Sequence, residues 1–209
     1  MYIQYGCGLC APNEWKNFDS SPTLQLQRLP LFGKLIKNAT NVHFPENVIY
    51  GDIVKGLPVK LNSCDGIYSS HTLEHLSLND FRLALSNTYK ILKVGGIFRC
   101  VVPDLESYAR TYINNIEKGN KNSSLIFLFD DTLLGYKNRN RNVTKILSSY
   151  FSNSNHLTMW DNLSLINELT KIGFSSVRKC KFNDSTDSMF KHVEDINRFQ
   201  NAVSIECIK

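Results

Sequence analysis

Apolar residues along the chain gather into short runs, and most of these runs end in glycine, aspartate or serine. Tyr2 to Tyr5 leads into Gly6-Cys7-Gly8, and Trp15 to Phe18 leads into Asp19. Asn47 to Ile53, which contains Gly51-Asp52, and Cys64 to Ser70 repeat the form. Ile97 to Val102 is continuous and apolar enough for a strand buried on both faces. Val177 to Phe182 and Ala202 to Ile208 complete a set of seven, the last placing Val203, Ile205 and Cys207 on one side. Helical spacing appears between some of these runs. Ser77 and Asp80 form an N-terminal box ahead of Phe81, Leu85 and Leu92 on one face, with Gly95-Gly96 as the stop. Asp161 to Ile172 places Leu165, Leu169 and Ile172 on one face before Gly173. Strands separated by loops and helices in this way predict a parallel α/β sheet.

Three stretches depart from that repeat. Only Gly6 to Glu14 joins the first two strands, which is too short for the usual helical crossover and leaves room for a vestigial helix at most. Between Ser20 and Phe44, Leu24, Leu31, Phe32, Leu35 and Ile36 predict an amphipathic helix broken near Pro30 and Gly33 and covering one sheet face. Pro103 to Trp160 fits no strand-helix unit. It is expected to be an insertion over the carboxyl edge of the sheet that opens with a helix from Leu105 to Glu117, within a single domain spanning residues 1–209.

Composition narrows the class. A chain of 209 residues, 42% hydrophobic and 21% charged, is that of an ordinary globular protein. It shows neither a basic segment followed by an apolar core nor a run of the roughly 20 apolar residues that a membrane span needs. The expectation is a cytoplasmic protein without a membrane span. Its six cysteines, at 7, 10, 64, 100, 180 and 207, are scattered rather than framed as a disulfide scaffold. The net charge of +5 is modest, and Lys137-Asn138-Arg139-Asn140-Arg141 reads as a solvated loop more readily than as a nucleic-acid patch.

The chemistry concentrates at strand ends. A strand that breaks into Gly-x-Gly brings backbone N–H groups close to a ligand, and an acid at the tip of the next strand can accept the hydroxyl protons of a ribose. Gly6, Gly8 and Asp19 therefore outline a nucleoside-cofactor site. Other patterns compete with it. His71-x-x-Glu74-His75 matches the H-x-x-E-H of inverted zinc peptidases, but that chemistry needs both histidines on one helix face, and His71 directly follows a strand. No metal site is expected. Cys7-x-x-Cys10 is a single pair inside the glycine loop, and a nicotinamide dehydrogenase would need the third glycine and the helix that it opens. A non-catalytic module that binds a cofactor, or binds nucleic acid through Lys137, Arg139 and Arg141, is the alternative outside enzymology.

Taken together, Gly6-Cys7-Gly8, Trp15 to Asp19, Gly51-Asp52-Ile53, Asp65 to Leu76, Leu92 to Gly96 and Val102 to Glu106 resemble the ordered motifs of class I S-adenosylmethionine-dependent methyltransferases, and most closely the small type 11 group. The resemblance implies a Rossmann-like, mostly parallel sheet of seven strands with the last antiparallel and an insertion between strands five and six. It implies S-adenosylmethionine as cofactor. Gly6, Cys7 and Gly8 would hold its methionine part, Asp19 with the adjoining Ser20 its ribose, and Asp52 and Ile53 its adenine, with Ser70 and His71 near the sulfonium. The sequence departs from the family pattern at Gln4, Cys10 and Val94, where an acid, a glycine and a proline are common.

Methyl transfer from a sulfonium is an in-line displacement, so most of the catalysis lies in holding the nucleophile about 3 to 3.5 Å from the methyl carbon. A general base contributes about 10² to 10⁴-fold more where the acceptor is a hydroxyl. His71 and then His156 are the candidates, followed by Asp104 and Tyr108. The expected acceptor is an oxygen or nitrogen of a small or glycan-like molecule, recognised by the Pro103 to Trp160 insertion because no N-terminal cap precedes the first strand.

Overall fold

The structure is a computed structural model and describes residues 1–30, 33, 42–137 and 155–209. Leu31, Phe32, Leu35 and Ile36 of the expected broken helix, and Asn138 to Arg141 of the basic cluster, lie outside the described residues.

Seven strands make one sheet in the order β3-β2-β1-β4-β5-β7-β6. They are β1 (Tyr2–Tyr5), β2 (Lys16–Asp19), β3 (Val48–Tyr50), β4 (Cys64–Ser70), β5 (Leu92–Pro103), β6 (Ser175–Lys179) and β7 (Ala202–Ile208). β7 runs antiparallel to both of its neighbours, and the other pairs are parallel. This is the α/β architecture that the strand pattern and the family resemblance predict. The helices are α1 (Pro22–Gln27), α2 (Leu78–Ile91), α3 (Leu105–Glu117), α4 (Ser123–Ile126) and α5 (Asn162–Ile172).

The two sheet faces are covered differently. On one, α2 and α5 bury Phe81, Leu85, Ile91, Leu165 and Leu169 against Ile3, Tyr5, Ile67, Phe98, Val203 and Ile205. Ser77 caps α2 by accepting from the Asp80 N–H at 3.3 Å, and Asp161 and Ser164 make a reciprocal box at the start of α5, which Gly173 ends. On the other face the 3₁₀ turns Ser188–His192 and Ile196–Phe199 stand where a long helix would usually lie, and Trp15, Tyr68, Val101, Phe190 and Val193 close a smaller core. A first crossover of ten residues without a helix leaves that side to be covered from the other end of the chain.

Several boundaries differ from the sequence reading. β3 stops at Tyr50, so Gly51, Asp52 and Ile53 sit in the loop beyond it. α2 ends at Ile91, and Gly95-Gly96 belong to the first part of β5 rather than to a helix stop, because Leu92 already pairs with Cys64 in the sheet. β6 starts two residues before Val177 and ends at Lys179. Of the Ser20 to Phe44 stretch, the helix described is the six-residue α1, anchored by the fully buried Leu24. The insertion does begin with α3, then continues through α4 and a π-helical turn, Phe127–Asp131. Its return is tied to the sheet at Trp160, which bridges to Asp104 and stacks on Phe81 with ring centres 4.2 Å apart.

β5 holds a charge that its apolar surroundings conceal. Arg99 is fully buried and donates to Glu194 at 2.7 Å, Glu206 at 2.7 Å, Asp184 at 3.0 Å and the Lys181 carbonyl at 3.0 Å. Glu206 lies on the face of β7 opposite Val203, Ile205 and Cys207, so both faces of that strand are buried, one apolar and one ionic. Removing one partner from such a cluster strands the others without compensation. Arg99→Leu is expected to lower the stability measured by urea unfolding by about 3–5 kcal/mol, and a loss of less than about 1 kcal/mol, the scale of an exposed pair, would contradict this role.

α2 and α5 are also joined by Arg82, which donates to both oxygens of Glu168 at 2.7 and 3.1 Å. The Arg82 guanidinium, aided by Lys171, holds the Glu168 carboxyl down at about 2 against the effect of its burial. A carboxyl depressed in the folded state contributes stability above its unfolded value of 4.5, and this is lost as pH falls toward 2. The stability gap between the wild type and Glu168→Gln should therefore be constant above pH 5 and close between pH 4.5 and 2; a gap that does not change with pH would show that the pair contributes nothing electrostatic.

Candidate active site

The carboxyl ends of β1, β2 and β4 meet around the glycine loop. Gly6 has a backbone φ of +65°, and a Cβ there would fall 2.0 Å from Thr72 Oγ1, so both conformation and space demand glycine. Gly8, at φ +55°, faces open space, where a Cβ would meet nothing within 4 Å. The loop's N–H groups are partly committed. Cys7 N–H donates to the Phe18 carbonyl at 3.1 Å and Gly8 N–H to Asp19 Oδ2 at 2.9 Å, while Asp19 Oδ1 accepts from Ser21 N–H at 2.8 Å. Asp19 thus fastens the loop to the start of α1, yet each of its oxygens keeps a second lone pair for a ligand.

Two adjoining cavities share Gly6 and His71. The smaller, about 220 Å³, is lined by Asp19, Ser20, Pro22, His71, Thr72 and His75 among others. The larger, about 480 Å³, runs along the glycine loop past Tyr68, Ser70, Val193, Asp195 and Arg198, within the size range of small-molecule sites. Most of the residues expected from the sequence meet here: Gly6, Cys7, Gly8, Asp19, Ser20, Ser70 and His71 line one cavity or the other. Asp52 and Ile53 line neither. Asp52 accepts from the Val54 N–H at 2.9 Å and pairs with Lys55 at 3.3 Å, and Ile53 is packed into the main core. Asp104, also a candidate base, caps α3 by accepting from Glu106 N–H at 3.0 Å.

His71 sits at φ +50°, an uncommon conformation for a residue with a Cβ, with its Nδ1 3.2 Å from Ser70 Oγ. Burial first, then the charge of Arg198, pushes its imidazole down to about 4, so the ring is neutral at pH 7. His156 belongs to the insertion and lines neither cavity; its ring lies 5.0 Å from that of His75, centre to centre, and burial lowers its pKa. The H-x-x-E-H segment does not build a peptidase helix. Residues Leu73–His75 form a single 3₁₀ turn, and His75 groups with Glu74 and His156 rather than with His71.

Sequence reasoning missed Arg198, Asp195 and Val193. They come from the segment that replaces a helix on the second sheet face, more than 170 residues from the glycine loop. The one signal was indirect, since a first crossover too short for its helix leaves a gap that something else must line. Gln4, where the family pattern carries an acid, is buried and donates to Cys10 O and Asn17 Oδ1, both at 2.7 Å. Its site is occupied by structural hydrogen bonds.

Comparison with known proteins agrees with this fold. Residues 4–100 match a family model described as a methyltransferase domain. Among solved structures, an S-adenosylmethionine-dependent methyltransferase from Thermotoga maritima aligns over 100% of this chain and 81% of its own, at 20% identity and a TM-score of 0.51. A Haloferax volcanii methyltransferase solved in complex with the Trm112 methyltransferase activator aligns over 99% and 81%, at 14% identity and a TM-score of 0.50. A Haemonchus contortus phosphoethanolamine N-methyltransferase, solved with S-adenosylhomocysteine, aligns over 100% of this chain and 48% of its own, at 11% identity and a TM-score of 0.50. A search of curated proteins found no match. No helix among the described residues is long and apolar enough to cross a membrane. Just under half of the chain, residues 4–100, thus matches a methyltransferase domain, and the seven strands in the order 3-2-1-4-5-7-6 have the fold of class I S-adenosylmethionine-dependent methyltransferases.

Proposed function

We propose that this methyltransferase acts on an oxygen or nitrogen of a small or glycan-like acceptor, with the glycine loop and Asp19 holding the cofactor and the 103–160 insertion covering the acceptor. The observation that carries the reading is the buried Asp19 carboxylate bonded to the N–H of Gly8, a residue that lines the larger cavity and faces open space. S-adenosylmethionine supplies an activated methyl group on a sulfonium. The chain's task is then to bind, orient and exclude water.

Asp19 and Ser20 line the smaller cavity, where the carboxylate's remaining lone pairs suit ribose hydroxyls. Asp195 and Arg198 are the charged residues lining the larger cavity, and they complement the ammonium and carboxylate of an amino acid. The adenine assignment to Asp52 and Ile53 needs the 51–56 loop to shift, since the Asp52 carboxylate is turned onto Val54 and Lys55. His71 stands on the wall between the two cavities, and its neutral ring can accept a hydrogen bond from an acceptor hydroxyl at pH 7. A pKa near 4 makes it a weak base, so its role is first to orient and then to receive a proton that is already leaving. His156 lines neither cavity and meets the site only at the ring of His75, which it abuts.

Calorimetry with S-adenosylhomocysteine and with methylthioadenosine, which lacks the amino-acid end, separates these roles. Asp19→Asn should weaken both ligands by about 10 to 100-fold, the scale of a charge-assisted hydrogen bond. Arg198→Ala should weaken the homocysteine compound by a similar factor and leave the truncated one unchanged. Unaltered affinity in Asp19→Asn would overturn the cofactor placement, and an equal loss of both ligands in Arg198→Ala would remove Arg198 from the amino-acid end.

A further inference from the structure

Glu74 has no ordinary reason to be a glutamate. It is fully buried in the 3₁₀ turn after β4, and neither oxygen of its carboxylate meets a hydrogen-bond donor from another residue among those described. A buried carboxyl without a partner carries a desolvation cost that an apolar residue would avoid. Its backbone, by contrast, is firmly held, because the Glu74 carbonyl accepts from Leu157 N–H at 2.8 Å and Thr158 N–H at 3.1 Å. The return of the insertion is therefore docked directly over this side chain.

That docking brings two imidazoles to the same point. His75 Nδ1 lies 3.1 Å from the Asn155 carbonyl. A carbonyl only accepts, so Nδ1 carries the hydrogen and Nε2 presents its lone pair. A histidine whose far nitrogen donates to a backbone carbonyl is in the state that metal-binding histidines usually adopt. His156 Nδ1 is buried with no hydrogen-bond partner among the described residues. One donor atom each from Glu74, His75 and His156 lies within 4.8 Å of the other two. Three side chains that offer electron pairs thus converge, with no hydrogen-bond donor from a further side chain between them among the described residues, an arrangement that a cation can complete.

We propose that Glu74, His75 and His156 form a binding site for one divalent transition-metal ion, zinc by first preference, at the junction of the insertion and the turn after β4. Two imidazoles and a carboxylate suit zinc and its neighbours in the series rather than calcium or magnesium. Ligand bonds of about 2.0–2.2 Å would draw together donors that lie within 4.8 Å of one another. The ion would neutralise the buried carboxylate and tie the insertion to the sheet edge by a bond stronger than packing alone. His75 also lines the cavity that holds Asp19 and His71, so an ion held there would sit beside that cavity. The site rests on the geometry of these three side chains and does not depend on the cofactor assignment.

The test uses the full chain, stripped with chelator and titrated with Zn²⁺ by calorimetry and with Co²⁺ by visible absorption. S-adenosylhomocysteine binding, measured on the same samples, reports separately on the cofactor site and on folding. The wild type should take up one equivalent of Zn²⁺, Glu74→Gln and His156→Gln should each weaken uptake at least tenfold while remaining folded, and His71→Gln should leave it unchanged. Cobalt should give visible bands of nitrogen and oxygen ligation without the strong near-ultraviolet band of a thiolate. Failure of the wild type to take up Zn²⁺, uptake unaffected in folded Glu74→Gln or His156→Gln, equal loss in His71→Gln, or a thiolate band that places the ion at Cys7 and Cys10 would each overturn the proposal. Should Glu74→Gln not fold, His156→Gln alone decides it.

Discussion

The structure turns on how Asp19 closes a connection that is too short. Parallel neighbours normally need a crossover of a dozen residues or more, usually helical, and β1 and β2 are joined by ten residues without a helix. Asp19 substitutes for that missing element. By accepting from Gly8 and Ser21 N–H it holds the glycine loop against the end of β2, and a buried carboxylate with charge-assisted bonds fixes a loop better than neutral contacts do. The same atoms that organise the loop face the cavity where a ribose is proposed to bind, so structure and ligand recognition share one carboxylate.

The missing helix has a second consequence on the far side of the sheet. No long helix covers that face among the described residues; it is closed by Phe190 and Val193 from the segment between β6 and β7, and this segment carries Asp195 and Arg198 to the glycine loop. The buried Arg99 belongs to the same solution. Its carboxylate partners Asp184 and Glu194 lie in the 180–195 stretch and Glu206 in β7, so a charged cluster rather than a helix fastens the covering segment to β5. Charges of this kind specify one arrangement at the cost of stability, which is one reason for a buried ionic cluster in place of apolar packing.

Much of this was legible in the sequence because it is local. The turn chemistry of Gly6 to Gly8, the acid at the tip of β2, the helix cap Ser77, the helix terminator Gly173 and the alternation in β7 are each encoded within a few residues. Strand count, the antiparallel last strand and the start of the insertion at α3 followed from them or from the family resemblance. What escaped notice was set by distant partners. Arg99 reads as a flaw in an apolar strand until three acids from 85 to 107 residues away surround it. Gly95-Gly96 read as a helix stop, but pairing of Leu92 with Cys64 makes them part of a strand. The H-x-x-E-H string is set aside because His71 directly follows a strand, and what stays hidden is that the turn after β4 directs His75 and Glu74 to His156, a residue 81 positions beyond His75.

One carboxylate locks the opening loop and is proposed to receive the cofactor's ribose as well. A crystal structure of the protein with S-adenosylhomocysteine tests this double role most directly. The account predicts both ribose hydroxyls within hydrogen-bond distance of Asp19, with the loop's Gly8 bond intact and the homocysteine part lying along residues 6–10. Density for the ligand away from β2, or a ribose bound while Asp19 remains out of reach, would contradict it.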